Sequence, residues 1–195
     1  QSVLAILIFT GMLAQLGTEA LAGYGIGQRL EFLLIPVAFG IGVASVPMVG
    51  MAVGSGDVAR ARRVAWVAGA VSAVNLGLIG AVVTWAPDLW ARLFTQDEAV
   101  LNHARQYLVT AGPAFAFFGL GLTLYFASQG AGQVIGPVLA GTVRLVLVAG
   151  AGYWLAQHQG HPDHFYGLVA VAMVLYGVVT AAAVKFTPWG PKQQT

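Results

Sequence analysis

Long apolar runs separated by short polar connections dominate the pattern of this 195-residue chain. A run of about 20 apolar residues is long enough for an α-helix to cross the roughly 30 Å hydrocarbon core of a bilayer. These runs are too long and too continuously apolar for alternating membrane β-strands of about ten residues. The pattern predicts an all-α polytopic membrane helix bundle with about six transmembrane helices. Their predicted spans are residues 2–17, 22–51, 63–86, 99–126, 134–156 and 164–186.

The first apolar run is shorter than the others. Residues 2–16 would extend about 22 Å as a helix, which is less than the roughly 30 Å of the hydrocarbon core. The chain begins at Gln1 without an initiator Met or the basic segment of a signal peptide. We therefore expect the first helix to be cut at its N-terminal end, with a further lobe of the protein upstream.

The connections between the runs carry residues that favour turns and helix caps. Residues 54–57 are Gly-Ser-Gly-Asp, and residues 130–132 are Gly-Ala-Gly. Thr95 and Glu98 have the spacing of a capping box immediately before the fourth run. This chemistry is expected where helices leave the lipid and begin again.

Composition and charge narrow the class of protein. Hydrophobic residues make up 58% of the chain and charged residues only 8%, and the mean hydropathy is +0.78, whereas about 25% of residues are charged in an average globular protein. The net charge of +2 is too small and too scattered for a nucleic-acid surface. The absence of cysteine excludes disulfides, thiolate metal sites and a cysteine nucleophile. Membrane lipid, and not nucleic acid, is the expected surrounding partner.

The distribution of basic residues predicts the orientation in the membrane. With an even number of spans, the connections form two groups on opposite faces, and the more basic group faces the cytoplasm. The face after the second, fourth and sixth spans carries Arg60, Arg62, Arg63, Lys185 and Lys192. The opposite face carries Arg92 and Arg105. We therefore expect the 60–63 loop and the C-terminus in the cytoplasm, and the protein in the plasma membrane, which in bacteria is the inner membrane.

Apart from charges near the ends of the spans, three charged residues lie at or near membrane depth: Arg29, Glu31 and Arg144. Glu31 would lie about 14 Å deep, where a carboxylate is costly unless it is paired, protonated or facing a water-filled cavity. We identify Glu31 as the coupling-ion candidate, because a partly desolvated carboxyl group near a cation can exchange a proton or bind Na⁺. The alternative is a structural salt bridge between Glu31 and Arg144 or an arginine of the upstream lobe. Arg29 lies on a different helix face from Glu31, and its long side chain can extend to the outer membrane interface.

Other polar residues in the spans are candidates for coupling-ion or substrate binding. Gln28 lies three residues before Glu31 and shares its helix face, so its amide can bond a substrate or the carboxylate. Tyr107 and Asn75 each lie three residues from another polar side chain, as residues that face a polar cavity would. The alternative for Tyr107 and Asn75 is hydrogen bonding between helices.

Two prolines are candidate hinges. Pro36 in the second span and Pro113 in the fourth interrupt the backbone hydrogen bonds near the middle of the membrane. Such interruptions occur in the broken helices of transporters, and they also occur as static kinks. Both interpretations of Pro36 and Pro113 remain open.

The sequence carries no recognisable enzyme motif. It contains no HExxH motif, P-loop or Ser-His-Asp arrangement. The loop at residues 158–164 contains three histidines, but Gly160 and Pro162 break its register, and a solvated loop is the better interpretation than a metal site. We expect no enzyme activity, no metal site and no cofactor, other than H⁺ or Na⁺ as a coupling ion.

Several short segments resemble, in their order and spacing, the multidrug and toxic compound extrusion (MATE) family. They are residues 16–31 (LGTEALAGYGIGQRLE), 36–42 (PVAFGIG), 49–57 (VGMAVGSGD), 59–63 (ARARR), 93–95 (LFT), 107–108 (YL), 118–120 (FGL) and 129–132 (QGAG). The resemblance corresponds to the family's seventh to eleventh helices, and it is weakest after about residue 150. It implies that this chain is the C-terminal six-helix lobe of a transporter built from two such lobes.

The resemblance to the MATE family implies a function. It implies a secondary antiporter that exports cationic or amphipathic drugs and other xenobiotics by alternating access, driven by an inward gradient of H⁺ or Na⁺. Glu31 occupies the place of an acid on the family's eighth helix that is implicated in cation or substrate binding. The tenth helix here lacks the acid that some members use for Na⁺.

Two alternative functions remain. A lipid-linked oligosaccharide flippase of the same superfamily would need basic cavity residues for pyrophosphate, and only Arg29 and Arg144 are available. A non-transporting membrane scaffold would use its buried charges only as packing pairs.

Overall fold

The computed structural model describes residues 2–14, 17–158 and 161–189. This part of the chain is helical and contains no strand. Its helices are α1 (Ser2–Leu13), α2 (Thr18–Gly54), α3 (Val58–Trp85), α4 (Asp88–Ala91), α5 (Glu98–Ala111), α6 (Phe115–Gly130), α7 (Ile135–Gln157) and α8 (Pro162–Phe186). A 3₁₀ turn at Gly112–Ala114 joins α5 to α6. Leu16 and Lys192, which entered the sequence predictions, lie outside the described residues.

Five segments of the described chain are long and apolar enough to cross a membrane. They are α2, α3, the α5–α6 segment Glu98–Gly130, α7 and α8. The prediction of an all-α membrane helix bundle is therefore confirmed. The first predicted span is the shorter α1 of 12 residues, which extends only about 18 Å. The second begins at Thr18 rather than at residue 22.

The helices run alternately up and down, so that the connections gather at two ends of the bundle. At one end, which we call the basic end and define by Arg60, Arg62, Arg63 and Lys185, the start of α3 meets the end of α8. The Arg62 guanidinium donates there to the carbonyl oxygens of Val184 (3.1 Å), Lys185 (3.0 Å) and Thr187 (2.7 Å). These are carbonyls at a helix end, which lack partners within the helix. Arg62 thus fastens the end of α8 to α3.

The opposite end of the bundle carries a network of ion pairs between α4 and the start of α5. Arg105 donates to the carboxylates of Asp88 at 2.6 Å and Glu98 at 3.0 Å, and Arg92 donates to Asp88 at 3.1 Å. The Arg105 guanidinium, assisted by Arg92, holds the pKa of the Asp88 carboxyl below its usual value of 3.8. The hydrogen bond to the charged carboxylate is the main cause. The short helix α4 is thereby fixed against α5.

The caps of α3 and α5 are aspartates. The Asp57 carboxylate accepts from the backbone N–H of Arg60 at 2.9 Å. The Asp97 carboxylate accepts from the backbone N–H of Ala99 at 2.9 Å. The capping box expected from Thr95 is therefore wrong, because α5 begins one residue after Asp97 and the Thr95 hydroxyl instead accepts from the N–H of Asp97 at 3.1 Å. A carboxylate is favoured at this place by the helix dipole.

Small residues let the central helix α6 lie close to its neighbours. The α5–α6 segment is the most buried of the five spans, and α6 packs against α2, α3 and α8. A Cβ atom at Gly119 would lie 3.0 Å from the Ser72 carbonyl oxygen of α3, and one at Gly121 would lie 2.8 Å from the Tyr176 ring of α8. Helices in membranes pack in this way because glycine permits close backbone approach. Gly121 thereby places Tyr176 beside the cavity described below.

Candidate ligand-binding cavity

Two adjoining cavities lie among α1, α2, α6, α7 and α8, and they share the side chains of Arg144, Tyr176 and Leu122. The larger, which we call the tyrosine cavity, has a volume of about 420 Å³. The smaller, which we call the glutamate cavity, has a volume of about 210 Å³. The tyrosine cavity is lined by Leu122, Tyr125, Pro137, Arg144 and Tyr176, among others. The glutamate cavity is lined by Gln28, Glu31, Phe118, Leu122, Arg144 and Tyr176, among others.

Glu31 of α2 is hydrogen-bonded by a tyrosine of α5. The Tyr107 hydroxyl donates a hydrogen bond to the Glu31 carboxylate. The Tyr107 side chain is fully buried, and the rings of Tyr24 and Tyr166 pack edge-on against it at centroid distances of 5.2 Å and 5.5 Å. Such T-shaped packing is favourable for aromatic pairs and restricts the ring. Glu31 therefore has one fixed hydrogen-bond donor and remains on the wall of the glutamate cavity.

Gly27 makes the approach of Tyr107 possible. A Cβ atom at this position of α2 would overlap the Tyr107 ring. Residues 27 and 31 are one helical turn apart and therefore lie on the same face. The ring consequently passes over Gly27 and its hydroxyl reaches Glu31. The absence of a side chain at Gly27 is therefore what allows Tyr107 to bond Glu31.

Gln28 lies beside Glu31, as the spacing predicted. Its side-chain amide lines the glutamate cavity and donates to the Tyr24 hydroxyl at 3.2 Å. Three of the four candidate binding residues, Glu31, Gln28 and Tyr107, are thus brought together by the structure. Their roles in binding remain predictions.

Asn75 lies away from this group. Its side chain is exposed, and its amide donates to the Val71 carbonyl oxygen of its own helix at 2.8 Å. The buried stripe of α3 contains Ser72, Leu76 and Gly80, and Asn75 falls outside it. Asn75 therefore lines neither of the two cavities, because the packing of α3 against α6 turns that side of the helix outward. Its role in binding remains a prediction.

The two candidate hinge prolines have different surroundings. Helix α2 continues without a break through Pro36. Pro113 lies in the 3₁₀ turn Gly112–Ala114, where the α-helical hydrogen bonding between α5 and α6 changes. Short 3₁₀ stretches within a helix are found at hinges. The hinge roles of Pro36 and Pro113 remain predictions, and the local geometry favours Pro113.

Arg144 shares the cavity with Glu31 but does not form an ion pair with it. Both side chains line the glutamate cavity, yet no ion pair within 4.0 Å joins these two described residues. The Arg144 guanidinium instead lies 5.8 Å from the ring centroids of Phe118 and Tyr176. A direct salt bridge from Glu31 to Arg144 is therefore excluded. Arg29 is exposed and lies over the Phe94 ring at 5.0 Å, away from both cavities.

The four binding candidates predicted from the sequence lie on the second, third and fourth spans, and they did not include the contributions of α7 and α8 to the cavities. These helices supply Arg144 and Tyr176, and α6 supplies Tyr125. The position of Arg144 in the middle of an apolar run already indicated a functional residue, since charged residues within the membrane often mark functional sites. Single tyrosines in apolar helices gave no comparable signal, because tyrosine is common at many membrane positions.

The histidine-containing loop falls partly outside the described residues, because Gln159 and Gly160 are not among them. In the part that is described, the His161 ring lies 3.0 Å from the Asp163 carboxylate. The described residues contain no group of three histidine, cysteine, aspartate or glutamate side chains that can hold a metal ion.

Membrane-spanning helices around a cavity that exposes a carboxylate and a guanidinium define an integral membrane protein with a polar site inside its bundle. The sequence profile of the MatE family matches residues 2–154 of this chain. The chain therefore belongs to the MatE family, which confirms the resemblance seen in the sequence.

Three similar proteins are each named "Probable multidrug resistance protein NorM". The Thermotoga maritima protein is 29% identical over 69% of this chain and 29% of its own length. The Pseudomonas syringae pv. tomato protein is 29% identical over 90% of this chain and 37% of its own length. The Caulobacter vibrioides protein is 29% identical over 72% of this chain and 30% of its own length. The matched regions thus cover about a third of each relative.

Proposed function

We propose that this chain forms one lobe of a secondary antiporter that exports cationic or amphipathic drugs and xenobiotics in exchange for H⁺ or Na⁺. Membership of the MatE family and the names of the three relatives support efflux of drugs across a membrane. They also support the expectation that the chain is not an enzyme. The observation that carries the proposal is the Glu31 carboxylate on the wall of a cavity inside the bundle, bonded by Tyr107 and flanked by Gln28.

In this proposal, the coupling ion and a cationic substrate compete for the same Glu31 carboxylate. When the Glu31 carboxylate is ionised, the Tyr107 hydroxyl donates to it without neutralising it. The remaining negative charge attracts a proton, a sodium ion or the cationic group of a substrate, and the low dielectric of the bundle strengthens this attraction. Because one carboxylate cannot bind two cations with full strength, binding of the coupling ion weakens binding of the substrate. This competition is the basis of exchange.

We further propose that an N-terminal lobe of the same transporter completes the transport pathway. The outer side of α2 near Glu31 carries exposed apolar side chains, including Phe32, Leu33 and Val37. Such a surface fits either lipid or the apolar side of a second lobe. The relatives are about three times as long as the regions that match this chain, which leaves room for such a lobe in the family.

The proposal is tested by efflux of a fluorescent cationic dye from cells that express the reading frame encoding this chain. Native protein is compared with Glu31→Gln under imposed H⁺ and Na⁺ gradients. We expect gradient-driven efflux to fall at least about tenfold in Glu31→Gln, because the neutral amide cannot attract a cation. Membrane abundance should stay unchanged. The matched control is Glu19→Gln, which removes an exposed carboxylate at the start of the same helix and should leave efflux within about twofold.

The other outcomes separate the alternatives. Efflux that survives Glu31→Gln would move the coupling site to another part of the transporter. Loss of membrane abundance in Glu31→Gln would favour a structural role and the scaffold. Absence of efflux from native protein would contradict the antiporter. The flippase has less support from the cavity, since Arg144 is its single basic residue among the described lining residues.

A further inference from the structure

A groove between α2 and α3 at the basic end lies apart from the site described above. It consists of two adjoining cavities of about 450 Å³ and 320 Å³, which share the side chains of Met48 and Val64. We call the two together the α2–α3 groove. Neither cavity has Glu31 or Arg144 among its described lining residues.

The deeper cavity of the α2–α3 groove is lined almost entirely by apolar side chains. They include Ile41, Ala44, Met48, Val64, Val67 and Val71. Residues three, four and seven positions apart lie on one helix face, so each helix lines the groove with one stripe. Ser45 also lines this cavity, but its hydroxyl donates to the Gly42 carbonyl oxygen of its own helix at 2.6 Å. Met48, Val67 and Val71 are exposed, so the stripe opens to the surface of the bundle.

Two arginines lie at the end of the groove that is nearest the basic end. Arg63 lines the deeper cavity and Arg60 the shallower one, and their spacing of three residues places them on one face of α3. Both side chains are exposed, and no described carboxylate lies within 4.0 Å of either guanidinium. The Asp57 carboxylate is used by the backbone, because it accepts from the N–H of Arg60 at 2.9 Å. The mouth of the groove therefore carries two positive charges without an ion-pair partner in the described chain.

The length of the groove corresponds to one leaflet of a bilayer. Along α3, Val71 lies about 12 Å deeper than Arg63 and about 16 Å deeper than Arg60. Half of the hydrocarbon core is about 15 Å thick. An acyl chain that starts beside the two arginines would therefore follow the apolar stripe to the middle of the membrane.

We propose that the α2–α3 groove binds an anionic phospholipid, with its phosphate against Arg60 and Arg63 and an acyl chain along the apolar stripe. Guanidinium groups bond phosphate oxygens in pairs, and basic pockets between membrane helices bind anionic headgroups. Charge complementarity favours this occupant over the apolar side of a second lobe, which would cover the groove and leave both guanidinium groups unpaired. The inference goes beyond the proposed transport function, because it depends on neither the substrate nor the coupling ion.

The test is lipid retention by the purified full-length protein, measured by native mass spectrometry. Phosphatidylglycerol and phosphatidylcholine with identical acyl chains are supplied in equal amounts. We expect one phosphatidylglycerol to be retained in preference to phosphatidylcholine. Arg60→Gln and Arg63→Gln should each lower this preference by about fivefold, since each removes one charge near the headgroup. Both side chains are exposed, so the variants should elute as native protein in size-exclusion chromatography.

Two further variants separate the groove from general surface charge. Lys185→Gln removes an exposed positive charge at the same end of the bundle but outside both cavities, and it should change the preference by less than about twofold because the effect of a charge falls off with distance. Ala44→Phe fills the apolar cavity and keeps both arginines. It should reduce retention of phosphatidylglycerol because the acyl chain is displaced.

The contrary outcomes are distinct. An equal loss in Lys185→Gln would assign the preference to surface charge and overturn the site. Equal retention of the two lipids, or retention that is insensitive to both arginine substitutions, would also overturn it, as expected if a second lobe covers the groove. Retained preference for phosphatidylglycerol without dye efflux from cells would contradict the antiporter and leave the lipid site intact.

Discussion

Glu31 acquires its surroundings from residues on a different helix. Its own helix supplies Gln28 one turn away, but the hydrogen-bond donor is Tyr107 of α5, which is 76 positions further along the chain. Tyr107 reaches the carboxylate because Gly27 has no side chain. The site therefore depends on a glycine that carries no functional group of its own.

At the scale of single residues, we predict that Gly27→Ala damages the site from a distance of one helical turn. The new methyl group overlaps the Tyr107 ring, which cannot move aside because it is fully buried between Tyr24 and Tyr166. Overpacking of this kind costs about 1–3 kcal/mol. We expect a lower melting temperature and reduced dye efflux. The control is Gly25→Ala, where the structure leaves open space, and equal behaviour of the two variants would contradict the prediction.

At the scale of the helices, the bundle is held together by close approach at small residues as well as by apolar side chains. Helix α6 contacts α3 at Gly119 and α8 at Gly121. In lipid, there is little hydrophobic driving force between helices, so van der Waals contact at such positions determines which helices pair. The glycines that lie between helices should therefore tolerate substitution less well than those that face outward.

The matched pair Gly119→Leu and Gly40→Leu tests this distinction. A side chain at Gly119 meets the backbone of α3 at Ser72, whereas a side chain at Gly40 meets nothing within 4 Å. We expect Gly119→Leu to cost about 1–3 kcal/mol of stability through overpacking and Gly40→Leu to have little effect. Thermal unfolding of the detergent-solubilised protein, followed by size-exclusion chromatography, measures the difference. Similar melting temperatures for both variants would show that α3 and α6 pack differently.

At the scale of the whole molecule, the two ends of the bundle differ in charge. The contacts of Arg62 with the end of α8 place residues 60–63, which lie at the start of α3 and not in a loop as the sequence predicted, at the same end as Lys185. The opposite end holds Arg92 and Arg105 in ion pairs with Asp88 and Glu98. Because basic residues are retained on the cytoplasmic side, the basic end is the expected cytoplasmic end.

Cysteine labelling tests this orientation directly. The chain contains no cysteine, so Ser55→Cys at the basic end and Gln96→Cys at the opposite end each introduce one thiol into it. Both positions are exposed in connections between helices. We expect a membrane-impermeant maleimide to label Gln96→Cys in intact cells and Ser55→Cys only after permeabilisation. The reverse pattern would show that the bundle is inserted the other way.

The sequence alone determined the helical class and the approximate positions of the membrane-spanning helices. Long apolar runs permit only helices of spanning length in lipid, since every backbone polar group must be satisfied within its own segment. The same reasoning singled out Glu31, because a carboxylate within an apolar run is costly wherever the helix lies. Helical spacing also placed Gln28 beside Glu31 correctly, since that relation is internal to one helix.

The tertiary structure decided the relations between helices, which local spacing does not contain. It turned Asn75 outward, brought Tyr107 to Glu31 over Gly27, and placed Glu31 and Arg144 on one cavity without a direct ion pair. Each outcome depends on the rotation of one helix about its axis, and the packing of neighbouring side chains sets that rotation. In a chain that is apolar on nearly every side, hydrophobicity does not distinguish the face toward lipid from the face toward another helix. Only the packed bundle shows which polar groups share the cavity.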